Sequence, residues 1–159
     1  MAIFIDTEIW VFAQKVPEHS RFQDKHKYQL ALQLHQKSNK FLSQIIKNNN
    51  ISMTYHQLCE IFHSLAFRGN KLPREIVLKY CIHLSTSEFI NWYSVSNEHI
   101  RQAMELSSLS KIHVWDYICI LPLYKDIDMI YSCDAHFKHE TFKSLGVKIE
   151  NPIGIWIPL

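Results

Sequence analysis

Short apolar runs alternate with longer amphipathic segments along the chain, and this alternation limits the fold more than any other feature of the sequence. The runs typical of strands lie at residues 2–5, 51–53, 129–133 and 147–149, and within 89–95. Helical patterns cover residues 24–47, 54–67, 73–84, 97–109, 112–124 and 137–145. Strands separated by helices cannot pair as hairpins. The sequence therefore predicts an α/β fold of three layers, α/β/α, with a mainly parallel central sheet and right-handed crossovers.

Several helix boundaries are indicated by individual residues. Thr54 and Asn97 are expected to cap the helices that follow them, and Pro73 is expected to open another. Residues 24–47 form one long helix or two in series. Pro122 should kink or end the helix predicted at 112–124, because proline cannot donate a backbone hydrogen bond.

Length and composition indicate one globular domain over residues 1–159. The composition is 47% hydrophobic with only three glycines, unlike that of a disordered chain. No apolar run is long enough to span a bilayer, and the N-terminus lacks the basic start of a signal peptide, so we expect no membrane association and a cytoplasmic location. The cysteines lie singly within apolar segments and are interpreted as reduced core residues: Cys59, Cys81, Cys119 and Cys133.

The net charge says little about partners. A charge of +2 and a pI near 8.3 are too mild to identify a nucleic-acid-binding protein. RNA is therefore permitted as a partner but is not indicated by charge.

Two aspartates each follow a predicted buried strand. Asp6 ends the run at residues 2–5, and Asp134 ends the run at 129–133. In open parallel sheets, ligands bind beyond the carboxyl ends of the strands, so both carboxylates are expected to point into one crevice. The alternative for each is a purely structural N-cap of the next helix.

Asp116 and Glu60 lie on predicted helices. Asp116 is the only charged residue between Lys111 and Lys125, and an ionised carboxylate in such an apolar run requires a metal ion or a basic partner. The alternative is an acid stabilised by the helix dipole. Glu60 falls opposite the apolar stripe of its helix, so the pattern by itself indicates a surface residue.

The order and spacing of these four acids resemble the PIN domain, the nuclease fold of VapC-type toxins and of several RNA-processing enzymes. The resemblance extends from Ala2 to about Asn151 and is carried by Phe4-Ile5-Asp6-Thr7, Leu58-Cys59-Glu60-Ile61, Val114-Trp115-Asp116 and Ser132-Cys133-Asp134. The chain departs from compact family members in its longer, more helical residues 11–47 and in Pro122.

The resemblance implies Mg²⁺ or Mn²⁺ held by the four carboxylates, which also suit the preference of these ions for oxygen ligands. Asp6 and Asp116 are expected to bind the ion directly, and Glu60 and Asp134 through water or a second ion. Ser132 is expected to orient Asp134 or a metal-bound water, and Thr7 either acts in the same way or merely packs.

The resemblance further implies a metal-dependent endoribonuclease, most specifically the toxin of a VapBC-type pair, with a VapB-like antitoxin and a homodimer as partners. The alternatives are an RNA-processing nuclease of the same fold and a PIN-like RNA- or partner-binding module without turnover. Lys138, His139 and Lys143 are expected to contact RNA phosphates beside the crevice. Arg68 and Lys71 either contact RNA or belong to an ordinary solvated turn, and the sequence favours the turn.

Two further features have weaker functional interpretations. Cys133, His136 and His139 lie close together, but a structural zinc site needs a second pair of ligands, and the sequence shows none. The apolar tail at residues 153–159 offers a surface for a dimer or an inhibitor protein unless it packs on its own domain.

Overall fold

The computed structural model describes residues 1–158, and its strands form a parallel sheet of five. In chain order they are β1 (Ala2–Ile5), β2 (Asn50–Thr54), β3 (Ile90–Tyr93), β4 (Met129–Tyr131) and β5 (Lys148–Glu150). The strand order across the sheet is β3-β2-β1-β4-β5, and every neighbouring pair is parallel. The predicted α/β architecture is confirmed, and the sheet is parallel throughout.

Helices connect the strands and cover the sheet. They are α1 (Thr7–Gln14), α2 (Lys25–Ile45), α3 (Tyr55–Phe67), α4 (Arg74–Ser85), α5 (Asn97–Ser110), α6 (Val114–Ile120) and α7 (Glu140–Lys143). Residues 24–47 thus contain one long helix, which begins after Asp24, whose side chain accepts a hydrogen bond from the backbone of His26.

The central strand β1 separates two hydrophobic cores. Three of its side chains are fully buried, with Ile3 and Ile5 in one core and Phe4 in the other. Successive side chains of a strand point to opposite faces, so this division places one core on each side of the sheet. The result is the predicted arrangement of three layers.

Three of the four cysteines are buried, as the sequence indicated: Cys81, Cys119 and Cys133. The interpretation of Cys59 as a core residue is wrong, because its side chain is exposed on α3.

Helix α1 was not predicted from the sequence. Its residues Ile9, Trp10, Val11 and Ala13 are all buried, so the segment lacks the polar face by which an amphipathic helix is recognised. The indole nitrogen of Trp10 donates a hydrogen bond to the carbonyl of Ile5, 3.1 Å away, and ties the helix to the end of β1.

The sequence indicated Asn97 as the N-cap of α5, and this prediction is wrong. The N-cap is Ser96. The Ser96 hydroxyl accepts a hydrogen bond from the backbone of His99, and the ring of His99 accepts one from the backbone of Ser96. This reciprocal pair satisfies two N–H groups at the start of the helix and makes the earlier cap more favourable.

Two predicted helices are shorter than expected. Helix α6 ends at Ile120, two residues before Pro122, as the missing donor of proline requires. Residues 137–145 are not one helix but a 3₁₀ turn at Ala135–Lys138 followed by α7. Asp134 caps the 3₁₀ turn, and His139 caps α7. Because the backbone of His139 is extended, the two segments do not form one continuous helix.

The C-terminal tail packs on its own domain. The backbone of Ile157 donates to the carbonyl of Cys133 and accepts from Ala135, while Ile153 is buried in one of the cores. The condition under which the tail would offer a free dimer surface is therefore not met over residues 153–158; position 159 lies outside the described residues. Within residues 1–158, no helix is both long enough and apolar enough to cross a membrane.

Candidate active site

The carboxyl ends of β1 and β4 form the floor of the candidate site. The two strands are neighbours in register, with Ile5 beside Tyr131, so the residues that follow them emerge at the same edge of the sheet. A cavity of about 390 Å³ opens there. It is lined by Glu8, Glu60, Arg68, His113, Trp115, Asp116, Asp134, His136, Ile157 and Pro158.

Asp6 lies beneath this cavity and is 6% exposed. One carboxylate oxygen accepts a hydrogen bond from the backbone of Thr7 at 2.8 Å, so Asp6 caps α1. The other accepts from the hydroxyl of Ser132 at 2.7 Å. The same hydroxyl accepts from the backbone of Asp134 at 3.0 Å. Ser132 therefore joins the two strand-end aspartates in one hydrogen-bond network. Its hydroxyl donates to the side chain of Asp6, whereas the sequence had indicated that it would orient Asp134.

Glu60 is not the surface acid that the pattern of its helix by itself indicated. Its side chain is partly buried, and its Oε2 atom accepts hydrogen bonds from the hydroxyl of Thr7 at 3.1 Å and from the thiol of Cys119 at 3.3 Å. Helix α3 packs beside α1 and α6, so Glu60, on the side of α3 opposite the apolar stripe, is partly covered by protein. The amphipathic pattern cannot distinguish these two environments, because both tolerate a polar side chain.

Asp116, Asp134 and His136 form a compact cluster. A hydrogen bond of 2.9 Å joins Nδ1 of His136 to Oδ2 of Asp116, and the same nitrogen lies 3.4 Å from Oδ1 of Asp134. Asp134 also caps the following 3₁₀ turn by accepting from the backbone of His136. The structural alternative considered for Asp6 and Asp134 is therefore real for both residues, and each caps a turn while facing the other acids.

Burial, and then the charges of neighbouring carboxylates, disfavour ionisation of three acids of the site: Asp6, Glu8 and Asp116. Burial, followed by the charge of Asp116, raises the pKa of Asp6 well above its usual value. Burial, followed by the charges of Asp134 and Glu60, raises the pKa of Asp116 to about 8. At the mouth of the cavity, partial desolvation and then the charges of Asp134 and Glu60 raise the pKa of Glu8. Burial disfavours charge of either sign, whereas the repulsion between the carboxylates specifically favours a cation at this position.

Several residues of the cavity were not predicted from the sequence. Glu8 follows Asp6 by two positions, and His113 and Trp115 flank the start of α6. His136 was considered only in the zinc interpretation; burial lowers its pKa, against the opposing charge of Asp134. Their proximity in sequence to Asp6, Asp116 and Asp134 was the available signal, but a neighbour on a turn points into a site only if the turn has the right geometry.

The predicted RNA-contacting residues are dispersed around the domain. Arg68 lines the acidic cavity, whereas Lys71 is exposed outside it. Lys138 lies over the ring of Trp156, with its Nζ atom 4.4 Å from the ring centroid. Lys138 and Lys143 together line a second cavity, separate from the acidic one. His139 is exposed and its ring is hydrogen-bonded to Thr141.

Pro122 does not distort the acidic cluster, and the residues of the zinc interpretation do not form a site of their own. The first turn of α6 is intact, with the backbone of Asp116 donating to the carbonyl of His113 at 3.2 Å. Of the three residues in the zinc interpretation, His136 belongs to the acidic cluster, Cys133 is fully buried, and His139 caps α7. The zinc grouping at these three residues is therefore not formed.

The donor set fits a hard divalent cation. Carboxylate oxygens are the ligands that Mg²⁺ and Mn²⁺ prefer, and Asp116 and Asp134 present theirs close together with a nitrogen of His136. Burial and the neighbouring carboxylates raise the pKa values of Asp6 and Asp116, so the ionised form of each is disfavoured unless a cation lies nearby.

The fold is similar to those of several solved structures. No protein-family model and no curated protein matches the sequence. VapC20 of Mycobacterium tuberculosis, a sarcin-ricin loop cleaving toxin, is 15% identical with a TM-score of 0.59, over 91% of this chain and 95% of that chain.

Two similar structures come from complexes with DNA. VapBC2 from Rickettsia felis, bound to a DNA fragment from its promoter, gives 14% identity and a TM-score of 0.54 over 95% of this chain and 98% of that chain. FitAB bound to a DNA fragment gives 12% identity and a TM-score of 0.56 over 96% of this chain and 96% of that chain. At such identities the likeness concerns the fold alone. The chain has the PIN-domain fold, as the four sequence motifs had predicted.

Proposed function

We propose that the protein is a divalent-metal-dependent endoribonuclease that hydrolyses RNA phosphodiester bonds through Asp6, Glu60, Asp116 and Asp134. The observation that carries this proposal is the crowding of these acids at the carboxyl edge of β1 and β4. Burial and mutual repulsion raise the pKa values of Asp6 and Asp116, which costs stability unless a cation compensates them.

The proposed cofactor is Mg²⁺ or Mn²⁺. Asp6 and Asp116 would bind it directly, and Glu60 and Asp134 through water or a second ion. When bound, such an ion supplies a coordinated water of lowered pKa and positive charge for the phosphate. The chain then needs no nucleophilic side chain of its own.

The supporting residues keep the carboxylates in place. Ser132 donates to Asp6, and Thr7 donates to Glu60, so each fixes the orientation of one proposed ligand. His136 holds the oxygen of Asp116 that it contacts at 2.9 Å. These contacts leave the carboxylates with little rotational freedom to lose when a cation binds.

RNA would enter along the open side of the cavity. Arg68 lines that side and is proposed to contact a phosphate, and Trp115, which is 52% exposed there, offers a face on which a base can stack. Lys71, Lys138, His139 and Lys143 are proposed as phosphate contacts for an RNA that extends beyond the cavity.

In the cell, we propose a cytoplasmic, single-domain toxin spanning residues 1–159, paired with a VapB-like antitoxin and forming a homodimer. Support comes from fold likeness to VapC20, to VapBC2 and to FitAB. An RNA-processing nuclease of the same fold is the alternative within the same chemistry. A small antitoxin-like gene beside this one would favour the toxin, and its absence would favour processing.

The test is RNA cleavage by the purified chain with Mn²⁺, Mg²⁺ or EDTA. Structured RNAs should be cut internally with either ion and left intact in EDTA. Asp6→Asn and Asp116→Asn remove one charge each from the site and should reduce cleavage by about a hundredfold or more, because each deletes a metal ligand. Asp126→Asn makes the same chemical change at an exposed position outside the cavity and should cleave normally.

Two results would defeat the proposal. Cleavage that survives equally in Asp6→Asn and Asp116→Asn would come from another nuclease in the preparation. Intact RNA with every ion would leave the binding module without turnover as the better account, and RNA binding by the same samples would then support it.

A further inference from the structure

We propose a second metal site, for a borderline transition-metal ion such as Zn²⁺, formed by His56, Glu60 and Cys119. Ligand atoms of these three side chains lie within 4.8 Å of one another. The donors are one nitrogen, one oxygen and one sulfur, a set that differs in kind from the carboxylates of the acidic site. The site stands apart from the proposed nuclease activity, although Glu60 belongs to both.

His56 supplies an observation that points to a missing ligand. Its Nε2 atom is buried and has no hydrogen-bond partner within residues 1–158. Leaving a buried nitrogen unpaired costs about 1–3 kcal/mol. The ring is also held in place, because it stacks on Trp115 with centroids 5.3 Å apart and planes 15° from parallel. A bound ion would satisfy a nitrogen that the protein leaves unsatisfied.

The fold brings the three donors together from two helices. His56 and Glu60 are four residues apart on α3, so they occupy the same face of that helix. Cys119 reaches them from α6, where it is 3% exposed, and its thiol already points at Glu60 Oε2 at 3.3 Å. The backbone separation of the two helices therefore needs little change for all three atoms to face one ion.

An ion has access to this position from solvent. A cavity of about 310 Å³ opens on His56 and Glu60 and is also lined by Cys59, His63, Arg68 and Trp115. Glu60, Arg68 and Trp115 line the acidic cavity as well, so the two cavities adjoin. Glu60 lies at the boundary and offers one carboxylate to both sides.

The donor set determines which ion is preferred. Zn²⁺ and Co²⁺ bind thiolate and imidazole in four-coordinate sites, whereas Mg²⁺ binds oxygen donors. Three protein ligands leave one position of a tetrahedron for water. On binding, the metal–sulfur bond replaces the sulfur–hydrogen bond of Cys119 and one proton passes to solvent, while His56 and Glu60 bind through lone pairs.

The test is a Co²⁺ titration of the metal-free full-length chain under reducing conditions. Co²⁺ bound to thiolate gives a charge-transfer band in the near ultraviolet and visible bands of a four-coordinate site. We expect both at about one equivalent, bleached by Zn²⁺ and unaffected by excess Mg²⁺. Cys119→Ser should abolish the charge-transfer band, and His56→Ala should weaken Co²⁺ binding at least about tenfold, or 1.4 kcal/mol.

Matched variants separate this site from its neighbours. Cys59→Ser removes the exposed thiol of the same cavity and should keep the band. Asp116→Asn removes a ligand of the acidic site alone and should also keep it. His56→Ala leaves the buried thiol intact, so it tests the site even if Cys119→Ser folds poorly by circular dichroism. A spectrum without the band, a band that persists in Cys119→Ser, or one lost in Cys59→Ser would overturn the proposal.

Discussion

Two fully buried serines show how differently one residue type is used in this protein. Ser132 donates to Asp6 and accepts from the backbone of Asp134, so both functions of its hydroxyl are engaged. Ser38, on α2, is equally buried, but its hydroxyl has no hydrogen-bond partner within residues 1–158. Substitution of each serine by alanine gives a matched comparison, because the change removes hydrogen bonds at Ser132 and removes none at Ser38.

Ser132→Ala should impair the acidic site. Without the hydroxyl, Asp6 loses a donor that lowers its pKa, so the carboxylate binds a cation less well. We expect the Mn²⁺ concentration for half-maximal RNA cleavage to rise about 10–100-fold, and stability to fall by about 1–3 kcal/mol. Metal-dependence curves and urea unfolding measure the two effects.

Ser38→Ala is the control for that substitution. It removes a buried hydroxyl without a partner and should leave cleavage unchanged and stability within about 0.5 kcal/mol. Equal metal dependence in the two variants would contradict a role for Ser132 in orienting Asp6.

Asp116 makes the metal-free protein sensitive to pH. Its folded-state pKa of about 8 lies above the ordinary value of 3.8. A group whose pKa is raised on folding contributes stability that is complete below its unfolded pKa and is lost as pH rises through its folded pKa. The loss for Asp116 therefore falls between about pH 4 and pH 8.

In EDTA, the melting temperature of the wild type should fall across that interval. Asp116→Asn removes the titrating group, so this variant should gain stability relative to the wild type as pH rises, by a few kcal/mol at most. Asp126→Asn should follow the wild type. Parallel curves for the wild type and Asp116→Asn would mean that Asp116 is ionised at little cost in the folded protein. Thermal melts monitored by circular dichroism give the curves.

At the scale of elements, the start of α3 sets the position of Glu60. Thr54 ends β2 and caps α3, its buried hydroxyl accepting from the backbone of Gln57 at 3.0 Å. The side chain of Gln57 then donates to the carbonyl of Ile5 at 2.8 Å, next to Asp6. The first turn of α3 is thus bonded to the end of β1, and Glu60 follows one turn later.

Thr54→Val should destabilise the protein by about 1–2 kcal/mol in urea unfolding, since it keeps the shape of threonine but leaves the Gln57 N–H without its cap. Thr54→Ser keeps the hydroxyl and loses only a methyl group, so it should cost less. If the serine variant is the less stable of the two, packing of the methyl group and not capping dominates at this position.

At the scale of the whole molecule, the sheet collects negative charge at one edge. The site draws on β1, β4, α3 and α6, which are distant in sequence, and the tail closes over it through Ile157 and Pro158. When ionised, these carboxylates repel one another, and this repulsion contributes to the raised pKa values of Asp6 and Asp116. A ligand that neutralises the repulsion binds the folded state in preference to the unfolded one and stabilises the whole domain.

Mg²⁺ or Mn²⁺ at millimolar concentration should therefore raise the melting temperature of the wild type by several degrees near neutral pH. Asp6→Asn and Asp116→Asn should respond less, whereas Asp126→Asn should respond like the wild type. A melt unchanged by both ions would count against the four-carboxylate site. Differential scanning fluorimetry, with Ca²⁺ or Na⁺ as ionic controls, is sufficient.

The sequence by itself determined the parallel α/β fold, because short apolar runs and 3.6-residue helical patterns are local properties that survive without tertiary contacts. It also determined the places of Asp6 and Asp134, since a residue that follows a central strand has only one edge of the sheet at which to emerge. Motif order added Glu60, which periodicity alone assigned to the surface.

Only the tertiary structure decided which polar helix faces are covered by other protein, and which of two neighbouring residues caps a helix. Helix α1 lacked a recognisable pattern because most of its residues are buried, and Glu60 is partly covered because α3 packs beside α1 and α6. His136, Glu8 and Trp115 reach the site through turn geometry that neighbouring residue types do not specify. The tail packs on its own domain through backbone hydrogen bonds, which any sequence can form and which therefore leave no trace in residue identity.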